Sequence, residues 1–344
     1  MGKIKIGVNG FGRIGRSLTR INLNHKKYEL VAINDIDSDI NNLAYLLKYD
    51  STYGKLRDTK IEVAGNSLLV DGQKICIFCE SDIRKVPWND LSVDIVIDSS
   101  GVFNNVIGAR EVLGDSVKKV VITHSPKEGI DFTFLYGVNE EFYEKCKHHV
   151  VSSSICDVNA VAPFYKLIDA AFGIEIGEVT TLHPWLSYQN LIDGTIKSVS
   201  NPGHYWSDYA LGRSSVGSMI PKETTLVKAM ADVLPQVTDT LHASSFRTPT
   251  AIVSAAEGVF LLKRNTYINE IILVIEAYCR NYPSVLYTDD RSLVSIDYLG
   301  IENAAVIDTR WLNLNHGKLL KFVLWYDNEW GYSSRVYNII EHIL

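Results

Sequence analysis

Gly7-Val8-Asn9-Gly10-Phe11-Gly12-Arg13-Ile14-Gly15-Arg16 is the stretch on which the fold turns. Ahead of it, Lys3–Val8 alternates apolar and polar residues as a strand does, and from Ile14 the apolar spacing becomes helical. The glycines at 10, 12 and 15 occupy the turn between them, each with a separate task. The first permits a tight turn, the second lets backbone approach a pyrophosphate, and the third lets the helix pack on the strand. The helix N-terminus then directs free N–H groups at the phosphates. Glu29–Ile33 reads as the next strand, closed by Asp35 about 20 residues beyond Gly15, where a carboxylate can accept both ribose hydroxyls. That carboxylate repels a 2′-phosphate, so NAD is the expected cofactor rather than NADP.

Working outward, Asp94–Ile97 and Val120–Thr123 are further strand-like runs separated by helical or loop stretches, the pattern of a mainly parallel sheet. After about residue 150 longer strand runs appear: Glu178–Leu182, Thr250–Ser254, Val259–Lys263 and Lys318–Tyr326. These suit an antiparallel, α+β arrangement. The expected fold is therefore α/β, a Rossmann-type doubly wound domain joined to an α+β catalytic domain with a mainly antiparallel sheet. Residues 1–155 with 327–344 form the first, and 156–326 the second, including the aperiodic loop 188–221. A segment of that length without regular elements is usually functional. The last residues, from Ser333, read as a Ser-capped amphipathic helix with apolar positions 336, 339, 340 and 343.

The 344 residues include 46% apolar and 22% charged, enough for two cored domains. Net charge is -6 without a basic block, so nucleic acid is not an expected partner. No apolar run reaches membrane-helix length, and the amino terminus lacks signal-peptide regions; a cytoplasmic protein is expected. Cys76 and Cys79 form a C-x-x-C, but in a strand residues three apart face opposite ways, so they read as ordinary strand residues. No metal site is expected.

Cys156 stands apart from the other four cysteines. It lies between a strand-like run and a helical pattern, where a helix N-terminus favours thiolate. His183 ends a later strand, and an imidazole beside a thiolate makes an activated nucleophile. Taken alone, a structural cysteine and an unrelated histidine would be the better reading of both.

Ordered matches along nearly the whole chain decide between these. Besides the glycine turn they are Ala32-Ile33-Asn34-Asp35, Tyr49-Asp50-Ser51-Thr52, Ser100-Gly101-Val102-Phe103, Tyr136-Gly137-Val138-Asn139, Phe246-Arg247-Thr248-Pro249-Thr250 and Trp325-Tyr326-Asp327-Asn328-Glu329-Trp330-Gly331-Tyr332. With these the sequence resembles the glyceraldehyde-3-phosphate dehydrogenase family. The resemblance implies that Cys156 attacks an aldehyde to give a thiohemiacetal and then a thioester, with His183 as general base and hydride passing to NAD. It further implies that Gly10, Gly12, Arg13, Ile14, Gly15 and Asp35 bind the dinucleotide and that Asn328 and Tyr332 serve its nicotinamide end. By the same resemblance Arg247 holds a phosphorylated substrate, and the protein is a homotetramer.

Departures from the family pattern concentrate on anion-binding groups. Hydroxyls expected beside the nucleophile are Ile155 and Asp157 here, a hydroxyl after the histidine is Leu186, and a Ser-Thr-Gly run is Glu223-Thr224-Thr225, keeping only Thr224. Asp157 and Thr224 are thus further candidates for substrate contact. An Asp beside the thiol raises the thiol pKa and repels phosphate; a solvent-facing helix cap is the other reading of Asp157. Three functions stay open at this point: oxidation of glyceraldehyde 3-phosphate or a similar phosphorylated aldehyde; a phosphate-independent, hydrolytic dehydrogenase resembling the erythrose-4-phosphate enzymes or acting on another aldose; and a non-catalytic NAD-binding regulator. His204 and Arg213, in the long loop, are candidates for substrate contact.

Overall fold

The computed structural model describes residues 2–195 and 208–344. By contact the chain divides into two compact units, Met1–Ile155 with Ser333–Leu344, and Cys156–Tyr332. The carboxyl-terminal segment thus rejoins the first unit at Ser333 rather than at 327. His204 lies outside the described residues.

The first unit is built on a nine-stranded sheet. Seven parallel strands run in the order Phe132–Thr133, Val150–Ser152, Lys119–Ile122, Ile95–Asp98, Lys5–Asn9, Glu29–Asn34, Gln73–Phe78, and an antiparallel extension adds Ser67–Val70 and Ile61–Val63. Every residue of Ile95–Asp98 and Lys119–Ile122 is buried, as parallel strands covered on both faces require. The helix Phe103–Val112 supplies Val106 and Ala109 to a core that includes Trp88, Val96, Val120 and Ile122. Each such side chain contributes about 1.5–3 kcal/mol by leaving water. Chain order reverses across the strand Lys5–Asn9, which has Glu29–Asn34 on one side and Ile95–Asp98 on the other. A crevice for ligand opens at the carboxyl ends of strands at such a switch point.

The second unit carries an eight-stranded mixed sheet. Its order is Ile220–Lys222, Leu241–Thr248, Ile174–Pro184, Ser254–Leu262, Leu319–Tyr326, Ala305–Asp308, Leu286–Asp289, with Asn313–Asn315 also on Leu319–Tyr326. Only two pairings are parallel, Ile174–Pro184 with Leu241–Thr248 and Leu286–Asp289 with Ala305–Asp308. The helix Cys156–Phe172 lies on the sheet, and Phe164 packs with Phe260 and Phe322 at ring separations of 6.1 and 4.7 Å. A Rossmann-type sheet in one unit and a mainly antiparallel sheet in the other is the architecture expected from the sequence.

Several element limits differ from the sequence expectation. Thr250–Ser254 is not a strand: Val253 takes a left-handed φ of 67°, and the strand starts only at Ser254. The carboxyl-terminal helix begins at Trp330, so Ser333 is a buried interior residue rather than a cap. The loop 188–221 ends in a short 3₁₀ turn at Tyr209–Gly212 and an edge strand at Ile220–Lys222. No described helix is long and apolar enough to cross a membrane.

Candidate active site

In the first unit the glycine turn follows the strand Lys5–Asn9 and leads into the helix Arg13–His25. Gly10 has φ +91°, and a Cβ there would sit 2.6 Å from the Ser100 backbone nitrogen. A Cβ at Gly15 would lie 2.2 Å from the Gly10 carbonyl oxygen, so helix and turn touch backbone to backbone. At Gly12 a Cβ would meet nothing within 4 Å, and no side chain caps the helix. Open space over an uncapped helix N-terminus is a cradle for a pyrophosphate.

Asp35 Oδ2 accepts the Phe11 N–H at 2.6 Å, which places the carboxylate against the glycine turn. Arg13 pairs with Asp50 at 2.6 Å and lies over the Tyr53 ring, so its guanidinium is anchored beside the turn; Ile14 is partly exposed. A polar network that the sequence did not disclose runs along the strand ends. Asn34 donates to Asn9 at 2.7 Å, and Asn9 donates to Asp98 at 2.8 Å. Burial pushes the Asp98 carboxyl up and the His124 imidazole down. These residues fit an adenine dinucleotide.

In the second unit Cys156 is the first residue of the helix Cys156–Phe172, and His183 sits near the end of the strand Ile174–Pro184. Their reactive atoms, Sγ and Nε2, are 3.7 Å apart. His183 Nδ1 lies 2.8 Å from the Pro184 carbonyl oxygen, which assigns the ring proton to Nδ1 and leaves the Nε2 lone pair facing the sulfur. The parallel register sets Arg247 directly beside His183, and its Nη2 donates to the Tyr188 hydroxyl at 3.2 Å.

Asp157 is buried, at 7% exposure, so it is no solvent-facing cap. Its Oδ1 accepts from the Cys156 thiol at 3.5 Å and from the Tyr326 hydroxyl at 2.8 Å. The ligating atoms of Cys156, Asp157 and His183 lie within 4.8 Å of one another.

Electrostatics differ from the expectation of a thiolate poised by the helix terminus. Burial, reinforced by the Asp157 charge, pushes the Cys156 thiol well up. Burial, followed by the Arg247 charge, pushes His183 down to about 4. Desolvation thus works against the thiolate that the helix N-terminus favours.

The remaining candidates fall at varied distances from this centre. Thr224 Oγ1 accepts the Leu226 N–H at 3.1 Å, in the turn ahead of the short helix Leu226–Met230. Arg213 pairs with Asp193 at 2.9 Å, a brace within the loop. Asn328 and Tyr332 belong to the second unit, where Asn328 Oδ1 accepts from Ser254 at 3.3 Å. Sequence reading missed Tyr326, Tyr188 and Lys222. Lys222 interacts electrostatically with Arg247, Asp157 and Cys156, and burial lowers its pKa. Strand alternation, which turns Tyr326 inward while Trp325 faces away, was the available signal for the first of these.

A dinucleotide-binding unit joined to a unit with a cysteine nucleophile and a histidine base defines an NAD-dependent aldehyde dehydrogenase of the thioester-forming class. Comparison with known proteins agrees. Residues 4–106 match the family model described as glyceraldehyde 3-phosphate dehydrogenase, NAD binding domain, and residues 155–328 match its C-terminal domain. The chain is 39% identical over 342 residues to the glyceraldehyde-3-phosphate dehydrogenase of Eremothecium gossypii, covering 99% of each. It is 37% identical over 341 residues to that of Geobacillus stearothermophilus, covering 99% of this chain and 98% of the relative. The chain belongs to the glyceraldehyde 3-phosphate dehydrogenase family, and its cofactor is NAD.

Proposed function

We propose that this enzyme oxidises a small phosphorylated aldehyde, glyceraldehyde 3-phosphate or a close analogue, through covalent attachment to Cys156. The observation that carries the proposal is the Cys156 Sγ–His183 Nε2 approach of 3.7 Å, with Nδ1 held by the Pro184 carbonyl. The thiol proton moves to Nε2 and on to the carbonyl oxygen as sulfur bonds to the carbonyl carbon, which leaves a thiohemiacetal hydroxyl and a neutral imidazole. His183 is then placed to accept the hydroxyl proton of the thiohemiacetal when its carbon loses hydride. Bound NAD supplies the hydride acceptor. The acyl group remains on sulfur as a thioester.

The buried Arg247 offers a planar cationic fork for the substrate phosphate. Lys222, which interacts electrostatically with Arg247, Asp157 and Cys156, is a second cationic candidate for that phosphate. Gly10, Gly12, Gly15, Arg13, Ile14 and Asp35 are assigned to the dinucleotide, and Asn328 and Tyr332 to its nicotinamide end. Thr224 stays a candidate substrate contact. A homotetramer working in the cytoplasm completes the proposal, as the family resemblance implies.

The test is NADH formation from NAD and glyceraldehyde 3-phosphate. Cys156→Ser is expected to abolish it, and His183→Asn to slow it by about 10²–10⁴-fold. If NAD binds but no aldehyde in a panel yields NADH, the catalytic assignment fails and a non-catalytic NAD-binding protein takes its place.

A further inference from the structure

Asp157 is a buried carboxylate next to the sulfur that carries the acyl group. Its Oδ1 is held by the Tyr326 hydroxyl at 2.8 Å and by the thiol at 3.5 Å. Its Oδ2 has no hydrogen-bond partner among the described residues, yet it is not among the buried polar atoms left without one, so it keeps some contact with solvent. Tyr326 is itself 1% exposed and anchored on the strand Leu319–Tyr326, so one carboxylate oxygen is fixed and the other is open.

We propose that Asp157 is the general base that directs water onto the Cys156 thioester, so that the enzyme releases a carboxylate rather than an acyl phosphate. The proposal rests on the thioester chemistry given above and goes on to name its product. Water bound at Oδ2 gives up a proton to that oxygen while its own oxygen bonds to the acyl carbon. The carbon–sulfur bond breaks and its electron pair leaves with the sulfur. The proton then passes from the Asp157 carboxyl to the thiolate of the adjoining residue and restores the thiol. Water is consumed, a carboxylic acid leaves, and the thiol is restored without a further redox partner. An inorganic phosphate dianion on the same path would have to share space with the Asp157 charge. The nearby cations, Arg247 and Lys222, are the ones assigned above to the substrate's own phosphate.

The experiment uses the full-length enzyme with NAD and glyceraldehyde 3-phosphate, with and without inorganic phosphate, in water enriched in oxygen-18. The expected result is a steady-state rate unchanged by phosphate and one labelled oxygen in the carboxylate product. Asp157→Asn keeps the shape and the Tyr326 contact but removes the base. It is expected to give a burst of NADH near one per chain and then turn over at least about 10²-fold more slowly. A rate that depends on phosphate, with an unlabelled acyl phosphate as product, would overturn the proposal while leaving the Cys156 chemistry standing. An Asp157→Asn variant whose steady state matches the native enzyme would overturn it as well. Absence of both steady-state NADH in the native enzyme and a burst in Asp157→Asn would instead sink the thioester chemistry itself.

Discussion

His183 carries opposing demands. As a base it must keep a free lone pair, and the burial that lowers its pKa to about 4 ensures this at neutral pH. The same burial has a consequence for stability. The unfolded chain takes up a proton near pH 6.5 and the folded chain only near 4, so stability present above 6.5 is lost as pH falls through that window. The loss attributable to this residue is about 3 kcal/mol. Urea unfolding at several pH values should show it, and His183→Asn should flatten the slope between pH 6.5 and 4; an unchanged slope would contradict the account. Cys156 behaves in the opposite sense. Because burial and Asp157 raise its pKa, alkylation by iodoacetamide should still be climbing above pH 8, whereas a plateau below neutrality would show a preformed thiolate. The sequence marked the two residues as candidates, and the aspartate as a carboxylate beside the thiol. It did not show the balance between helix terminus and burial, since burial is a property of the packed unit and not of neighbours along the chain.

At the level of elements, the glycine turn was legible because its requirements are local. A tight turn and a close helix are written in the glycines themselves, and the structure shows their reasons as near contacts of 2.6 and 2.2 Å. Gly15→Ala tests this directly. Its Cβ would press on the Gly10 carbonyl, a backbone atom that cannot swing aside, so helix and turn must separate. NAD affinity should fall at least about tenfold, equivalent to 1.4 kcal/mol, while iodoacetamide still modifies Cys156. Unchanged NAD affinity would show that the turn does not cradle the dinucleotide. Other elements were less legible. Thr250–Ser254 has β-forming residues, but tertiary context puts Val253 at positive φ and delays the strand. The serine ahead of the final helix looked like a cap, yet the helix extends through it from Trp330. The partner of Asp157 was hidden because Tyr326 lies 169 residues away in the chain.

For the whole molecule, two sheets of different character account for two tasks. The parallel sheet offers a switch point for a dinucleotide, and the mixed sheet lines up His183 and Arg247 on neighbouring strands while a helix presents Cys156 beside them. Such convergence of residues from separate elements was visible in the sequence only through family resemblance, because spacing along a chain does not reveal which strands will pair. The most direct test of the account is to mix the enzyme with NAD and glyceraldehyde 3-phosphate, quench within one turnover, and map the modified peptide by mass spectrometry. The account predicts an acyl group on the peptide containing Cys156, formed together with one NADH per chain. NADH formed with that peptide unmodified, or with the acyl group on another cysteine, would contradict it.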